Sequence, residues 1–576
     1  MVGGKARNLV CQKRDTQRQN FPISKGLGGR WMKRKIKGKN RGTLVCALAL
    51  VTAMMLTGCG SGKTREGQNE QAIATPVPTA NNLEEGEVSV PKSSYVNPVA
   101  GDSETGEYIY GGDPSVLVDG DTVYLYTGHD TSSDQEVNRK VYTIREYLCY
   151  STKDMVNWKS EGVVMTADRV NISWATSSTT AWASQVAKYK DQYYLYFCTW
   201  DKTSEGKQSI GVAVSDSATG PFKDIGHPLV QGTVTMPQSN NWNDIDPTVW
   251  IEENEEGEEH RYLAWGNSKY YICELNEDMI SVKDQDGDGT ITCGVAGKNA
   301  DILNSQIGLT AYTEAPWLYR RKDDSGKYYG KYYLFYASGW REQMAYATTD
   351  NLMGGMWKFG KILMEPTATS NTNHPAVFDF KGKTYFVYHN GSLPGGNGYR
   401  RSACITELKF LDDGSVEPMK ETASGLNGTT AAIQTTDGEK LSHPNYRNAS
   451  GDEPYPYKGV RIGTGQSEEE ADALWVLTSG RADPQKNAYV SIQAEDKPGL
   501  YWTADEDQTV TLSQNADATE DTAKRQTFHT VKGLSDENAV SFESVTSPGM
   551  YVTLVKGTLK LTDGSDKKAA TFTIGE

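Results

Sequence analysis

Three acidic side chains stand in one recurring frame. Asp113 opens Asp-Pro-Ser-Val, Asp246 opens Asp-Pro-Thr-Val, and Glu314 directly precedes Ala-Pro-Trp-Leu. Each frame leads through a polar turn into an aromatic run: Val123-Tyr-Leu-Tyr126, Arg261-Tyr-Leu-Ala-Trp265 and Tyr332-Tyr-Leu-Phe335. Taken singly, Asp-Pro is a turn signal, and a Glu before Ala-Pro-Trp is a solvated loop residue. Three acids at equivalent places of a repeat converge in space. Converging carboxyls suit the cleavage of a glycosidic bond: one protonated acid serves the leaving group and one ionised base serves water.

Positioning these acids falls to the repeat itself. Two further copies open at Ala183-Ser-Gln-Val and His374-Pro-Ala-Val, and each has its own aromatic run, Tyr193–Tyr196 and Thr384–Tyr388. From Tyr124 through Tyr194, Tyr262, Tyr333 and Tyr385 the steps are 70, 68, 71 and 52 residues. Each unit also has a second half, such as Tyr150-Ser-Thr-Lys-Asp154 with Trp158, so each holds about four short strands. Strand-only repeats of this length predict propeller blades. The fold class is therefore all-β, a five-bladed β-propeller over residues 96–420, with the residues that open each unit, His374 included, at the channel mouth. Residues 425–576 break the period. Three looser units, from Ala432, Val490 and Val540, predict a β-trefoil-like domain separable from catalysis.

The motifs Asp113-Pro-Ser, Ala181-Trp182-Ala-Ser-Gln, Asp244-Ile-Asp246-Pro-Thr-Val, Thr313-Glu314-Ala-Pro-Trp317 and Asn373-His374-Pro resemble glycoside hydrolase family 43, as does Tyr388-His-Asn-Gly through Arg401-Ser402. Within it they are most similar to the arabinofuranosidase and arabinoxylan arabinofuranohydrolase groups. That resemblance implies an inverting mechanism with Asp113 as general base, Glu314 as general acid and Asp246 as the residue that tunes the acid. Glu314 must then stay protonated above the ~4.3 of a free Glu, through like-charge repulsion from Asp246 and an apolar Trp317. Trp182 is expected to wall the sugar, Arg401 to donate to its hydroxyls, and His374 and Trp317 to line the site. Pro-Gly-Leu-Tyr501, Pro-Gly-Met-Tyr551 and Ala570-Thr-Phe572 resemble an arabinofuranose-binding module; the alternative is a structural β-domain.

No cofactor is required by this chemistry. Asp284-Gln-Asp286-Gly-Asp288-Gly289 matches the first half of a calcium loop, but position twelve is Val295, so Asp284, Asp286 and Asp288 are candidate calcium ligands against a solvated acidic turn.

Charge and address bound the partners. Residues 1–58 carry 13 Lys/Arg and one acid, Asp15, whereas from Cys59 onward 46 basic residues face 73 acidic ones. So acidic a chain repels nucleic acid and anionic membranes. Met32-Lys-Arg-Lys, the 14-residue apolar run Thr43–Leu56 and Leu56-Thr-Gly-Cys59 resemble a bacterial lipoprotein signal. Residues 1–59 are then extension and signal peptide, Cys59 the lipidation site, and 60–95 a flexible tether. Membrane contact is through that anchor only, at the bacterial surface. The remaining cysteines, Cys149, Cys198, Cys273, Cys293 and Cys404, fit neither a disulfide framework nor a zinc pattern. The expected partner is plant cell-wall polysaccharide, arabinoxylan or arabinan. β-Xylosidase, endo-arabinanase and a non-catalytic glycan-binding lipoprotein are the competing readings.

Overall fold

The computed structural model describes residues 83–575 apart from 102–107, 177–179, 236–240, 255–256, 296–299, 305, 324, 445–458 and 516. The signal, Cys59 and most of the tether lie outside the described residues.

Five antiparallel sheets follow the repeat. Blade one runs Gly111–Asp119, Thr122–Asp130, Ile144–Thr152 and Lys159–Thr166 in sequence order; blade two runs from Gln185–Tyr189 to Lys223–Asp224, and blade four from Tyr312–Lys322 to Lys358–Met364. Blade three begins at Thr248–Glu253, and its outer edge is Ile302–Asn304 with Cys293–Val295 parallel beyond it. Blade five has three strands, Ala376–Phe380, Lys383–Asn390 and Ser402–Glu407. Its open edge is covered by the start of the described chain: Val99 N–H donates to Ala403 O at 2.9 Å, and Asn97 Oδ1 accepts from Ile405 N–H at 3.0 Å. An edge so paired does not template aggregation.

The innermost strands touch in a closed ring, one to two to three to four to five and back to one. Alternating Val, Leu and Tyr residues let each sheet bury both faces against its neighbours. Tyr126, Leu195 and Phe197 fill the seam of blades one and two, Leu263, Trp265 and Tyr271 that of two and three, and Leu334, Tyr336 and Trp357 that of three and four. The hairpin turn Lys381-Gly382 has positive φ at both residues (47° and 77°), as a type I′ turn requires. The five described cysteines are free thiols, four of them buried.

The C-terminal domain is a second closed ring. Ala431–Thr435, Leu474–Ser479, Tyr489–Ala494, Phe528–Lys532, Val540–Ser544 and Phe572–Gly575 pair successively, and the last returns to the first. Hairpins Leu500–Ala504/Val510–Gln514 and Tyr551–Val555/Thr558–Thr562, with the short pair Leu441–Ser442/Gly463–Thr464, cap this barrel in threefold fashion. Trp475, Trp502, Phe528, Phe542 and Phe572 form its core.

One boundary needs correction. Residues 84–93, expected to belong to the tether, are held on this domain. Val88 N–H donates to Thr530 O at 3.1 Å, Lys532 N–H donates to Gly86 O at 2.9 Å, and Val90 is buried in the barrel core. Two valines in a polar run give no periodic signal, so composition alone reads that stretch as linker.

Candidate active site

Asp113 and Glu314 lie among the first residues of innermost strands, and Asp246 two residues before one, where the backbone departs from regular strand. Asp113, Asp246 and Ala315 have φ of 52°, 59° and 57°, a left-handed conformation that is uncommon outside glycine. The register slips between Gly112 and Ser115 in blade one and between Glu314 and Trp317 in blade four. Such bulges re-aim a side chain at a barrel or propeller rim. Asp113 and Glu314 are half-buried and reachable from solvent, whereas Asp246 lies beneath, 5% exposed.

Asp113 is gripped by Arg401. Nη1 donates to Oδ1 at 2.6 Å and Nη2 to Oδ2 at 2.9 Å, a bidentate pair. Arg401 also gives Nε to Asp130 Oδ2 at 2.9 Å and Nη2 to Asp130 Oδ1 at 3.0 Å, and its ring neighbour is Tyr142, 4.8 Å below the guanidinium. Gly112 makes room for this: a Cβ there would stand 2.3 Å from Arg401 Cζ. The Arg401 donors expected for sugar hydroxyls are directed instead to two aspartates and, from Nη1 at 3.5 Å, to Thr372 Oγ1. The backbone N–H of Asp113 donates to His389 Nδ1 at 3.1 Å, and the other nitrogen of that ring faces Thr372 O at 2.9 Å. Burial opposes ionisation of Asp113, but the Arg401 guanidinium holds its carboxyl below the ordinary aspartate range. Burial lowers His374 to about 4 and His389 to about 3, so both rings are neutral near pH 7.

Glu314 is driven the other way. Burial, with the charge of Asp113 next, raises its carboxyl above the ordinary range, against the amide donor of Asn267, which binds Glu314 Oε2. Asp246 is pushed well above the ordinary range by burial and then by Glu314. Its Oδ2 accepts the N–H of Ala315 at 3.0 Å, which ties it to the residue after Glu314. Burial and then Asp113, in place of the expected Asp246, raise Glu314.

Trp182 is half-buried, edge-on to Trp200 at 6.2 Å, and its Nε1 has no partner among the described residues. Trp317 is displaced from its expected place. It is 4% exposed, donates Nε1 to Val377 O at 2.9 Å, and lines a cavity of about 230 Å³ with Val116, Lys188, Phe378 and Asp379. Two residues on from Ala315, it follows the strand down into the core.

The acidic loop also differs. Carboxylate oxygens of Asp284, Asp286 and Asp301 lie within 4.8 Å of one another; Asp288 is replaced by Asp301, and instead accepts Thr290 N–H at 2.7 Å. Asp284 accepts from Gly287 and Gly289 N–H, both at 2.7 Å; Asp301 accepts from Gln285 N–H at 2.6 Å and Thr292 N–H at 2.8 Å. These oxygens also accept from the loop's own amides, and they lie close enough together to hold a cation; no step below uses a metal.

Sequence reading missed Asp130, Glu342, Asn267 and His389. All lie at or just past the end of the second strand of a blade, which runs back to the mouth. The antiparallel hairpin was the signal: its far end must return beside the acid that opened it.

A five-bladed propeller whose mouth gathers one stabilised carboxylate and a group of buried carboxyls defines the glycoside hydrolase class. Residues 109–416 match the model of glycosyl hydrolases family 43, and the chain belongs to that family. Residues 458–574 match the α-L-arabinofuranosidase B (ABFB) domain. A xylosidase/arabinosidase of Bacteroides ovatus is 28% identical over 336 residues, covering 53% of this chain and 94% of that protein. An arabinoxylan arabinofuranohydrolase of Paenibacillus polymyxa is 30% identical over 351 residues, covering 55% of this chain and 51% of that protein. A solved α-L-arabinofuranosidase from Clostridium thermocellum shares 29% identity over 53% of this chain and 93% of its own, at TM-score 0.41.

Proposed function

We propose that the chain is an inverting, exo-acting α-L-arabinofuranosidase that releases L-arabinofuranose from side chains of arabinoxylan or arabinan. The observation that carries this is the opposite treatment of two acids in one mouth. Arg401 grips Asp113 in a bidentate pair and holds its carboxyl below the ordinary range, whereas burial raises that of Glu314 above it. Asp113 is the general base: each of its oxygens spends one lone pair on Arg401 and keeps another for a water. As that water's oxygen bonds the anomeric carbon, its proton passes to Asp113. Glu314 is the general acid and gives its proton to the leaving oxygen as the glycosidic C–O bond breaks. Attack and departure on opposite faces invert the centre. Asp246, through the Ala315 amide, orients the acid. Trp182 and the exposed Trp340, at the rim, offer apolar faces to a sugar.

The ABFB-domain match favours arabinose, and the arabinoxylan relative supports a polysaccharide. β-Xylosidase is the second reading, because relatives carry both names. Export and lipidation at Cys59 rest on the Leu56-Thr-Gly-Cys59 motif. Initial rates on nitrophenyl α-L-arabinofuranoside, nitrophenyl β-D-xyloside and debranched arabinan test the choice. The arabinofuranoside is expected to be fastest; a faster xyloside transfers the assignment to β-xylosidase.

A further inference from the structure

Among the described residues, Trp340 and Trp242 are the two exposed tryptophans, at 58% and 46%. The turn that carries Trp340 is held on both sides. Gly339 N–H donates to Ala311 O at 2.9 Å, and Gly339 O accepts from Thr313 Oγ1 at 2.9 Å. Arg341 Nη2 donates to Thr367 O at 2.7 Å and Ser370 O at 3.3 Å, and Glu342 N–H donates to Asn371 O at 3.1 Å. The Trp340 indole itself makes no ring contact among the described residues. A pinned backbone that leaves a large apolar face in water is preorganised for a ligand, because the chain has little freedom left to lose on binding.

Both tryptophans are tied to the acid. Thr313, which grips the Trp340 turn, is the residue before Glu314. Asn243, the residue after Trp242, donates Nδ2 to Asn267 O at 3.0 Å and accepts Asn267 N–H at 2.9 Å, and Asn267 in turn holds Glu314 Oε2. Asp113 instead has Arg401 and His389, from blade five, as its neighbours. The acid protonates the leaving oxygen, so the leaving group lies on the Glu314 side and the water beside Asp113. For an enzyme that removes side chains, that leaving group is the main chain.

We propose that Trp340, with Trp242, is the platform for the main chain of arabinoxylan, and that these two residues set a preference for xylan over arabinan. The inference rests on Glu314 being the general acid of an arabinofuranosidase. A β-1,4-linked xylopyranose unit is an uncharged chair whose faces carry axial C–H bonds, and such a face lies flat on an indole. An arabinan main chain is built of puckered furanose rings, which offer no face of that kind.

Trp340→Ala and Trp242→Ala, made in the full chain, test this. The quantity read is kcat/KM on arabinoxylan divided by kcat/KM on nitrophenyl α-L-arabinofuranoside. That ratio is expected to fall by about tenfold, the size of one aromatic contact, with KM on the polymer carrying the loss. Trp340→Phe, which keeps a flat face, is expected to recover most of it. The corresponding ratio for branched arabinan is expected to fall less. A wild-type ratio in both alanine variants overturns the platform, and an equal fall on arabinan overturns the choice of xylan. Calorimetry with xylohexaose, which carries no arabinofuranose, gives a readout free of turnover. It is expected to bind Glu314→Gln, and to bind about tenfold more weakly once Trp340→Ala is added. Equal affinity in the two, or no binding to either, overturns the platform even where the arabinofuranoside is cleaved. If no glycoside is cleaved but xylohexaose binding depends on Trp340, the functional reading fails and the platform stands.

Discussion

Asp113 and Glu314 are similar groups made unlike by their neighbours. One carboxylate is answered by a guanidinium that a second aspartate, Asp130, holds from behind; the other accepts from the Asn267 amide and is raised first by burial. Asp113→Asn and Glu314→Gln are each expected to lower turnover by about 10²–10⁴-fold with the fold intact by circular dichroism. A near-normal rate in either folded variant removes that residue from the chemistry. Arg401 acts through Asp113, and the sign of its effect follows. Removing the cation in Arg401→Met takes away what lowers the Asp113 carboxyl, so the acidic limb of kcat/KM should move to higher pH. A uniform loss of rate with the limb in place would reduce Arg401 to a packing residue.

At the scale of elements, the blades were legible because every unit restates one frame. Asp113, Asp246 and Glu314 could be placed together from those frames alone, since the start of an innermost strand has one place in a propeller. What closes the site was not legible. Asp130 and Glu342 sit at strand ends with no motif, and a side chain such as Arg401 shows its partner only when the strand Ser402–Glu407 and its preceding loop are folded beside Gly112. Trp317 and Asp288 were misplaced for a related reason: local spacing does not show which way a strand descends or which acid a loop folds back upon. The same limit applies to the C-terminal domain, expected to be separable. It grips the blade-five loop that leads into Arg401. Gly395 N–H donates to Asn515 O at 3.1 Å, Gln514 Nε2 to Gly396 O at 3.4 Å, and a Cβ on Gly499 would lie 2.7 Å from Ser392 Cα. Ala423 N–H donates to Glu495 O at 2.7 Å across the same junction. Removing residues 425–576 is therefore expected to lower activity on small aryl glycosides as well as on polymer. Full activity on the small substrate after truncation would show that the loop holds itself.

Over the whole molecule, buried ionisable groups set how stability depends on pH. Burial raises Asp244 and Glu421 to about 7, and raises Asp246, Glu314 and Glu342 as well. Between their ordinary values near 4 and their folded values, the folded chain binds more protons than the unfolded one, so these groups favour folding toward the acid side and cost stability as pH rises. The neutral His374 and His389 pull the other way below their ordinary 6.5. Asp113, held below 3.8, loses its contribution only as the pH falls through its lower folded value. The five carboxyls outnumber the two imidazoles, so the thermal midpoint is expected to be higher at pH 6 than at pH 8 in a melting series; the reverse order would mean that the carboxyls are solvated. The account as a whole depends on two acids working from opposite faces of one bond, and the stereochemistry of the product reads that directly. Proton NMR of nitrophenyl α-L-arabinofuranoside during hydrolysis, followed before mutarotation, should show β-L-arabinofuranose as the first-formed sugar. A first-formed α anomer would contradict a base and an acid separated by a water, and an unchanged substrate would contradict the assigned activity itself.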